Sequence, residues 1–466
     1  MPKGYSDVLI GLQYGDEGKA KVIDLLAKDY DIVARFNGGA NAGHSIETDQ
    51  GSISLNQVPS SIFQTHTLLY IGSGCVVNLE KLQKEVEKIS AMKIEMKDRL
   101  FISDQAPVIQ PHHILMDELM GGEIGTTKNG IGPAYSDKAL RMEGKRLLTI
   151  KLGDLLDDPK TFFAQMKNNF IETLNKHDLP ARDCELTLQH MQTALDFITP
   201  FVQRDTLWLQ KKVAKGAKVL FEGAQSVMLD VTKGCVPFVT SSSTVAGAAY
   251  VGGDLSPNYH RKTIGVAKAI MSRVGFGPFA SEFGGLESEN YCMEEGGNSH
   301  NRDYEERTYD TTAYLQSENP FEVGIALRML GREYGTVTRR PRRVGMLDLV
   351  QLTHAIRGNG VDLLFLTKCD LLQDFNKTKD GTIPLVTGYK LNDEKIDYVP
   401  GSNVSYRKVE PVVEKRDCFT LDTTITEWEK LPPPLLTLLT EIEKKAKCKF
   451  LGIGTGPQRD GFVLKG

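Results

Sequence analysis

Gly11-Leu12-Gln13-Tyr14-Gly15-Asp16-Glu17-Gly18-Lys19-Ala20-Lys21 follows the apolar run Val8-Leu9-Ile10 and leads into Val22, Ile23, Leu25 and Leu26, which are spaced for one face of a helix. Strand, glycine-rich turn, helix: this order aims backbone N–H groups at whatever lies at the helix N-terminus, where the helix dipole favours an anion. The glycines admit close backbone approach, and Lys19 is long enough to reach a phosphate oxygen as a point charge. Ala20 follows Gly18-Lys19, so the hydroxyl that a Walker A loop gives to magnesium is missing. The turn carries Asp16-Glu17 instead. An acid beside phosphates suits a magnesium ligand or a base that removes a substrate proton. The same composition also fits an acid-rich helix N-terminus in any α/β protein.

Working outward, Asp31-Ile32-Val33-Ala34-Arg35-Phe36 reads as a second strand that ends in Asn37-Gly38-Gly39-Ala40-Asn41-Ala42-Gly43-His44-Ser45. Parallel sheets bind ligands at the carboxyl ends of their strands, so this loop is a second candidate edge. Further apolar runs stand at 68–71, 100–102, 219–221 and 363–366. They alternate with helical patterns at 78–89, 162–174 and 186–207. The alternation predicts an α/β fold: a mainly parallel central sheet flanked by helices, P-loop-NTPase-like in architecture, with helical and loop insertions. Residues 1–466 read as one elaborated domain. Within it, about 151–215 forms a helical subdomain, and about 282–306 is expected to be an acidic surface loop.

The chain has 466 residues, a net charge of −4, 40% hydrophobic and 25% charged residues. That composition is globular and excludes nucleic-acid binding driven by bulk charge. Seven cysteines without a C-x-x-C pair suit reduced thiols better than a disulfide framework or a zinc site. With no apolar signal core at the N-terminus and no membrane-length apolar run, a cytoplasmic protein is expected.

Other motifs add chemistry. Gly125-Thr126-Thr127-Lys128-Asn129-Gly130-Ile131-Gly132-Pro133-Ala134-Tyr135 sets hydroxyls on flexible backbone, as phosphate sites and turns both do. Phe221-Glu222-Gly223-Ala224-Gln225 and Val239-Thr240-Ser241-Ser242 offer neutral hydrogen-bonding groups. Thr338-Arg339-Arg340-Pro341-Arg342-Arg343 crowds four guanidiniums, the group that grips carboxylate or phosphate in a fork. Leu364-Phe365-Leu366-Thr367-Lys368-Cys369-Asp370 is an apolar strand ending in T-K-x-D. The Asp370 carboxylate can accept from guanine N1–H and the 2-amino group while the Lys368 stem covers the ring; adenine lacks those donors, so the layout selects GTP over ATP.

Taken in order, these motifs resemble the adenylosuccinate synthetase family, whose members join IMP to L-aspartate at the expense of GTP. The resemblance runs from Gly11 to Asp460 and rests on G-x-Q-x-G-D-E-G-K, N-A-G-H, T-T-x-x-G-I-G-P-A-Y, F-E-G-A-Q, V-T-S-S, R-P-R-R-x-G, L-T-K-x-D and T-G-P-x-R. It implies Asp16 as general base and magnesium ligand, with the Gly43 carbonyl also on Mg2+, and His44 as the acid that assists phosphoryl transfer. Lys19 and Gln225 are implied in catalysis. Asn41, Thr127, Arg141, Gln225, Thr240 and Arg340 match IMP contacts, Arg141 reaching the neighbouring subunit's IMP in a homodimer. Thr336, Val337, Thr338, Arg340 and Arg342 match the aspartate-binding loop. Gly15, Glu17, Gly18, Lys19, Gly43, His44, Ser45, Lys368, Asp370, Gly454, Thr455 and Gly456 match GTP contacts.

The implied reaction suits these residue types. A carboxylate that removes the purine N1 proton turns O6 into a nucleophile for the γ-phosphate, and the phosphorylated oxygen then leaves when the aspartate amine attacks. The chain departs from its relatives at Tyr14 (usually Trp), Ala20 (Gly), Ala40 (Asn), Lys128-Asn129 (Gly-Arg), Val337 (Thr), Arg339 (Gly) and Gly454 (Ser), and in the longer 282–306 stretch. Three rivals are weighed. Phage relatives that use dGMP replace the acid at the Asp16 position, which is intact here. A catalytically silent nucleotide-binding regulator would not need both Asp16 and His44. A translation-type GTPase would need the missing Walker A loop.

Overall fold

The computed structural model describes residues 4–41, 43–48, 51–124, 128–294, 299–335 and 339–466; at 44–48, 51–52 and 120–124 it describes the backbone alone. The apolar run around Leu9 is the strand Tyr5–Gly11, at the centre of a ten-stranded sheet. Across the sheet the order is Phe462–Leu464, Lys449–Gly454, Leu363–Thr367, His260–Lys268, Tyr5–Gly11, Lys218–Ser226, Ile32–Arg35, Leu68–Ile71, Leu100–Ser103, Val202–Gln203. Every neighbouring pair is parallel except the last two strands of the chain, Lys449–Gly454 and Phe462–Leu464. All six strands expected from apolar runs are present.

Both faces of the sheet are covered, which is why its strands read as unbroken apolar runs rather than alternating ones. Leu9, Val33, Leu220 and Phe365 pack on one face against Val22, Ile23 and Ala27 of the helix Lys19–Ala27. Val8, Ile10, Phe221, Leu364 and Leu366 pack on the other, against Leu352, Ala355 and Ile356 of the helix Leu349–Asn359. A second sheet, built from Leu347–Asp348, Thr382–Leu391, Glu394–Ile396 and Glu410–Asp417, flanks the first.

Two expectations change. The helix expected over 186–207 stops at Ile198, because Pro200 brings no N–H to continue it; a 3-10 turn, Thr199–Phe201, and the edge strand Val202–Gln203 follow. Residues 282–306, expected as a surface loop, instead contain the helices Gly285–Met293 and Arg302–Thr308. Three of its acids are buried on arginines, Glu282 and Glu289 on Arg343 and Glu305 on Arg328, while Glu287, Glu294, Asp303 and Glu306 are exposed. The helices of 152–198 share one core with the sheet edge, where Leu152, Phe170, Leu188 and Leu195 cluster with Leu69, Leu100 and Ile102. Leu209 and Val213 of the helix Trp208–Ala214 join the core with Val8 and Phe221 instead. Among the described residues no helix is long and apolar enough to cross a membrane.

Candidate active site

The turn after Gly11 is built around a buried carboxylate. Glu17 accepts from the N–H groups of Gln13 (3.2 Å) and Gly15 (2.9 Å), from Ser226 Oγ (2.5 Å) and from Lys19 Nζ (2.7 Å). Gly11 is required here: a Cβ would stand 2.1 Å from Ser226 Oγ and 2.3 Å from Glu17 Oε2. Gly18 caps the helix at φ 80°, in the left-handed region. Gln13 ties the turn to the neighbouring strand, donating to the Lys268 carbonyl (3.0 Å) and accepting from its N–H (2.9 Å). Glu17 and Lys19 thus form a brace inside the turn. The Lys19 ammonium, expected to point at a phosphate, is 5% exposed and rests on that brace.

Asp16 is outside the brace, with 39% of its side chain exposed, and its Oδ2 lies 2.8 Å from Arg342 Nη2. Partial withdrawal from water raises its pKa, but Arg342 and then Lys268 outweigh this and hold the carboxyl below its ordinary value. Arg342 Nη1 donates to Glu333 at 2.8 Å, and Arg342 Nε is buried without a partner. Glu333, fully buried, also accepts from Ser272 Oγ (2.8 Å) and Lys368, with Lys268 Nζ at 3.4 Å. Burial raises the Glu333 carboxyl, yet Lys268, Lys368 and Arg342 drive it well below its usual range. Glu333 and Lys268 were not singled out from sequence. Lys268 had a signal, a lone charge inside the apolar run 264–271; Glu333 had none.

A cleft of about 410 Å³ opens beside the turn. Asp16, Glu17, Gly18, Lys368, Asp370, Gly454 and Gly456 line it, joined by Lys21, Asp24 and Arg459. The sheet brings these motifs together: Tyr5–Gly11, Leu363–Thr367 and Lys449–Gly454 all end on this side. Thr367 Oγ1 donates to the Glu17 carbonyl (2.8 Å), locking the two motifs to each other. Lys368 also donates to the Gly331 carbonyl at 2.8 Å. Burial raises the Asp370 carboxyl above its ordinary value, against its own backbone N–H, Lys368 and Lys21. Thr455 is buried rather than in the cleft lining, and its Oγ1 has no partner.

A smaller cleft of about 210 Å³ joins Asn41 and Thr240 with Asp117, Gly132, Ser241 and Arg273. Gln225, at φ 54°, has a buried Oε1 without a partner. A Cβ on Gly38 would stand 3.2 Å from that oxygen and 3.6 Å from Asn41 Oδ1, so the Gln225 and Asn41 side chains converge on one backbone position. Arg273, which sequence reasoning missed, is buried and fixed by the carbonyls of Phe238, Phe276 and Pro278. Arg340 lies just past 336–338, its carbonyl accepting from the Gly335 N–H at 2.8 Å. Arg141 is exposed at the end of the helix Ile131–Leu140. Gly43 and Gly15 keep solvent access; for His44 and Ser45 the description covers a backbone strand paired with 54–55. Thr127, Thr336, Val337 and Thr338 lie outside the described residues.

The Asp16 carboxylate and the Gly43 carbonyl are hard oxygen donors, the ligand type Mg2+ accepts when phosphate and water complete its shell. A different trio, His112, His113 and Asp137, is close enough for a metal. It does not suit one: His113 Nδ1 accepts the Gln110 N–H at 3.0 Å, so its Nε2 carries the proton and donates to Asp137 at 3.1 Å. Burial holds that imidazole down to about 4.

The adenylosuccinate synthetase family model matches residues 8–463 of the chain. Adenylosuccinate synthetase 2 of Cupriavidus pinatubonensis is 48% identical over 456 residues, which span 98% of this chain and 96% of that protein. Among solved structures, the chain is similar to the fully ligated adenylosuccinate synthetase from Plasmodium falciparum, at 30% identity and a TM-score of 0.84, over 99% of this chain and 100% of that one. The cyanophage S-2L succinoaminodeoxyadenylate synthetase, solved with dGMP and dATP, shares the fold at 17% identity and a TM-score of 0.59, over 100% of this chain and 96% of that one.

Proposed function

Because the chain belongs to the adenylosuccinate synthetase family, ligases that join IMP to aspartate, we propose that it does so at the expense of GTP and through a 6-phosphoryl-IMP intermediate. The observation that carries this reading is the 410 Å³ cleft, in which the acid of the first turn and the T-K-x-D end of another strand share one space. Asp16 removes the N1 proton of IMP, and the electron pair released makes O6 the nucleophile. O6 attacks the γ-phosphorus, and GDP leaves. The aspartate amine then attacks C6, and phosphate leaves with the former O6. Asp370 and Lys368 read guanine. Asn41, Thr240 and the unpartnered Gln225 amide oxygen face IMP, and Arg342 with Arg340 grips the donor's carboxylates. His44 acts as the acid in phosphoryl transfer. Asp16 and the Gly43 carbonyl would hold Mg2+, which neutralises phosphate charge when bound.

A homodimer completes the reading, with Arg141 acting on the partner's IMP. It is supported by exposed apolar side chains around that arginine: Leu140 at 54% and Met142 at 50%. A coupled assay with IMP or dGMP, GTP or ATP, and L-aspartate tests the proposal. Adenylosuccinate and phosphate should form in equal amounts from IMP, GTP and aspartate together. Turnover of dGMP in preference to IMP would move the chain to the 2-amino product. No turnover with any combination, despite nucleotide binding, would make it a regulator.

A further inference from the structure

Lys368 and Arg342 belong to different substrates in the proposed reaction, yet both end on the same carboxylate. Glu333 Oε1 accepts from Lys368, while Oε2 accepts from Arg342 Nη1 at 2.8 Å and from Ser272 Oγ at 2.8 Å. Lys268 Nζ closes the set at 3.4 Å, and none of Glu333 or Lys268 reaches solvent. Arg342 continues from Glu333 to Asp16 through its second arm. Three basic side chains therefore share two carboxylates, one fewer than the cations present. That leaves the cluster suited to one more carboxylate, supplied by the amine donor. A carboxylate held by several buried cations is rigid, because moving it strands charges in low dielectric. Whatever shifts one cation on it is felt by the others.

We propose that Glu333 is a positioning residue that couples the nucleotide-base cleft to the amine-donor site, holding Lys368 at the first and serving as the pivot for Arg342 at the second. The inference rests on the reading of Lys368 as a GTP contact and Arg342 as an aspartate grip. It has a consequence that a simple structural brace lacks: Lys368, which does not touch aspartate in that reading, should influence aspartate affinity, and only through Glu333.

The test is a double-mutant cycle on aspartate KM, with IMP and GTP saturating. Lys368→Met lets Glu333 draw Arg342 inward, and aspartate KM should rise at least threefold. Glu333→Gln removes the pivot, and aspartate KM should rise tenfold or more while IMP KM stays within twofold. In the Glu333→Gln background, Lys368→Met should leave aspartate KM unchanged. An equal effect of Lys368→Met in both backgrounds would overturn the coupling. So would an unchanged aspartate KM in Lys368→Met alone, a measurement that stands even where Glu333→Gln does not fold. Wild-type turnover of IMP, GTP and aspartate separates the two failures. If it is absent, the functional reading falls; if it is present with uncoupled constants, only this inference does.

Discussion

Arg342 Nη2 lies 2.8 Å from Asp16 Oδ2, so the arginine assigned to the amine donor rests on the acid assigned as base. The two roles are thereby linked. A donor carboxylate entering the site competes with Asp16 for one arm of the guanidinium, while the other arm stays on Glu333. Binding of the third substrate would then release the base from its cation. The fork geometry of arginine permits this exchange of partners; a lysine's single ammonium would not keep both contacts.

Arg342→Leu should therefore raise aspartate KM at least tenfold, since a charge-assisted hydrogen bond is worth roughly 1.5–3 kcal/mol. IMP and GTP constants should move far less. Steady-state kinetics with aspartate varied at saturating nucleotides gives the answer. A normal aspartate KM would place the donor's carboxylate elsewhere.

Asp370→Asn should reverse nucleotide preference. The carboxylate that accepts from guanine becomes an amide whose NH₂ can donate to the 2-oxo group of xanthine, so XTP should be favoured over GTP. Competition between the two nucleotides measures it. An enzyme that still prefers GTP would remove Asp370 from base reading.

Mixing Asp16→Asn and Arg141→Leu subunits should restore activity that neither homodimer has. Asp16→Asn alone should lose on the order of 10²-fold or more in turnover, the usual worth of a general base. With random exchange, half the dimers are mixed and each holds one intact site, so about a quarter of wild-type activity is expected. Absence of recovery, with subunit exchange demonstrated, would refute action across the interface.

Asp348 offers a test of stability apart from chemistry. Its side chain caps the helix Leu349–Asn359 through the N–H groups of Val350 and Gln351, both at 2.9 Å, and burial pushes its carboxyl up to about 6. The folded state therefore holds this proton more tightly than the unfolded state does. The site costs nothing below about pH 4, and its cost grows until pH passes about 6, reaching roughly 2–3 kcal/mol. Asp348→Asn keeps a capping oxygen and removes the charge. Its stability relative to wild type should improve by about that amount between pH 4 and pH 7 in denaturant titrations. A difference independent of pH would show that the carboxyl titrates normally.

The sheet was legible because its strands are buried on both faces, which leaves unmistakable apolar runs such as Val8-Leu9-Ile10 and Leu364-Phe365-Leu366. Glycine-rich turns at the ends of those runs pointed to one edge of the sheet, and a 410 Å³ cleft there is lined by the first turn with Lys368, Asp370 and Gly454. Partner choice was not legible. Nothing in G-D-E-G-K says that Glu17 turns inward to brace Lys19 while Asp16 turns outward to Arg342, because the difference is a matter of backbone angle at adjacent residues. Glu333 stayed hidden for the same reason: its partners come from 61 to 65 positions back and 9 to 35 ahead. Acid-rich composition at 282–306 misled, since acids buried on arginines look in sequence just like acids in water.

The strand order also sets a length standard. The turn after Gly11 and the T-K-x-D end of Leu363–Thr367 are separated by the single strand His260–Lys268, and Lys449–Gly454 stands one strand further out. Hydrogen-bonded strands lie about 4.8 Å apart, so Leu363–Thr367 and Lys449–Gly454 run roughly 10 and 14 Å from Tyr5–Gly11 within the sheet, and beyond its edge the turn reaches across to Thr367, which donates to the Glu17 carbonyl at 2.8 Å. These intervals are fixed by backbone pairing and cannot stretch as a loop can. The turn thus spans a gap of fixed width, and a nucleotide held as proposed would meet two motifs whose spacing is set by the sheet beneath them.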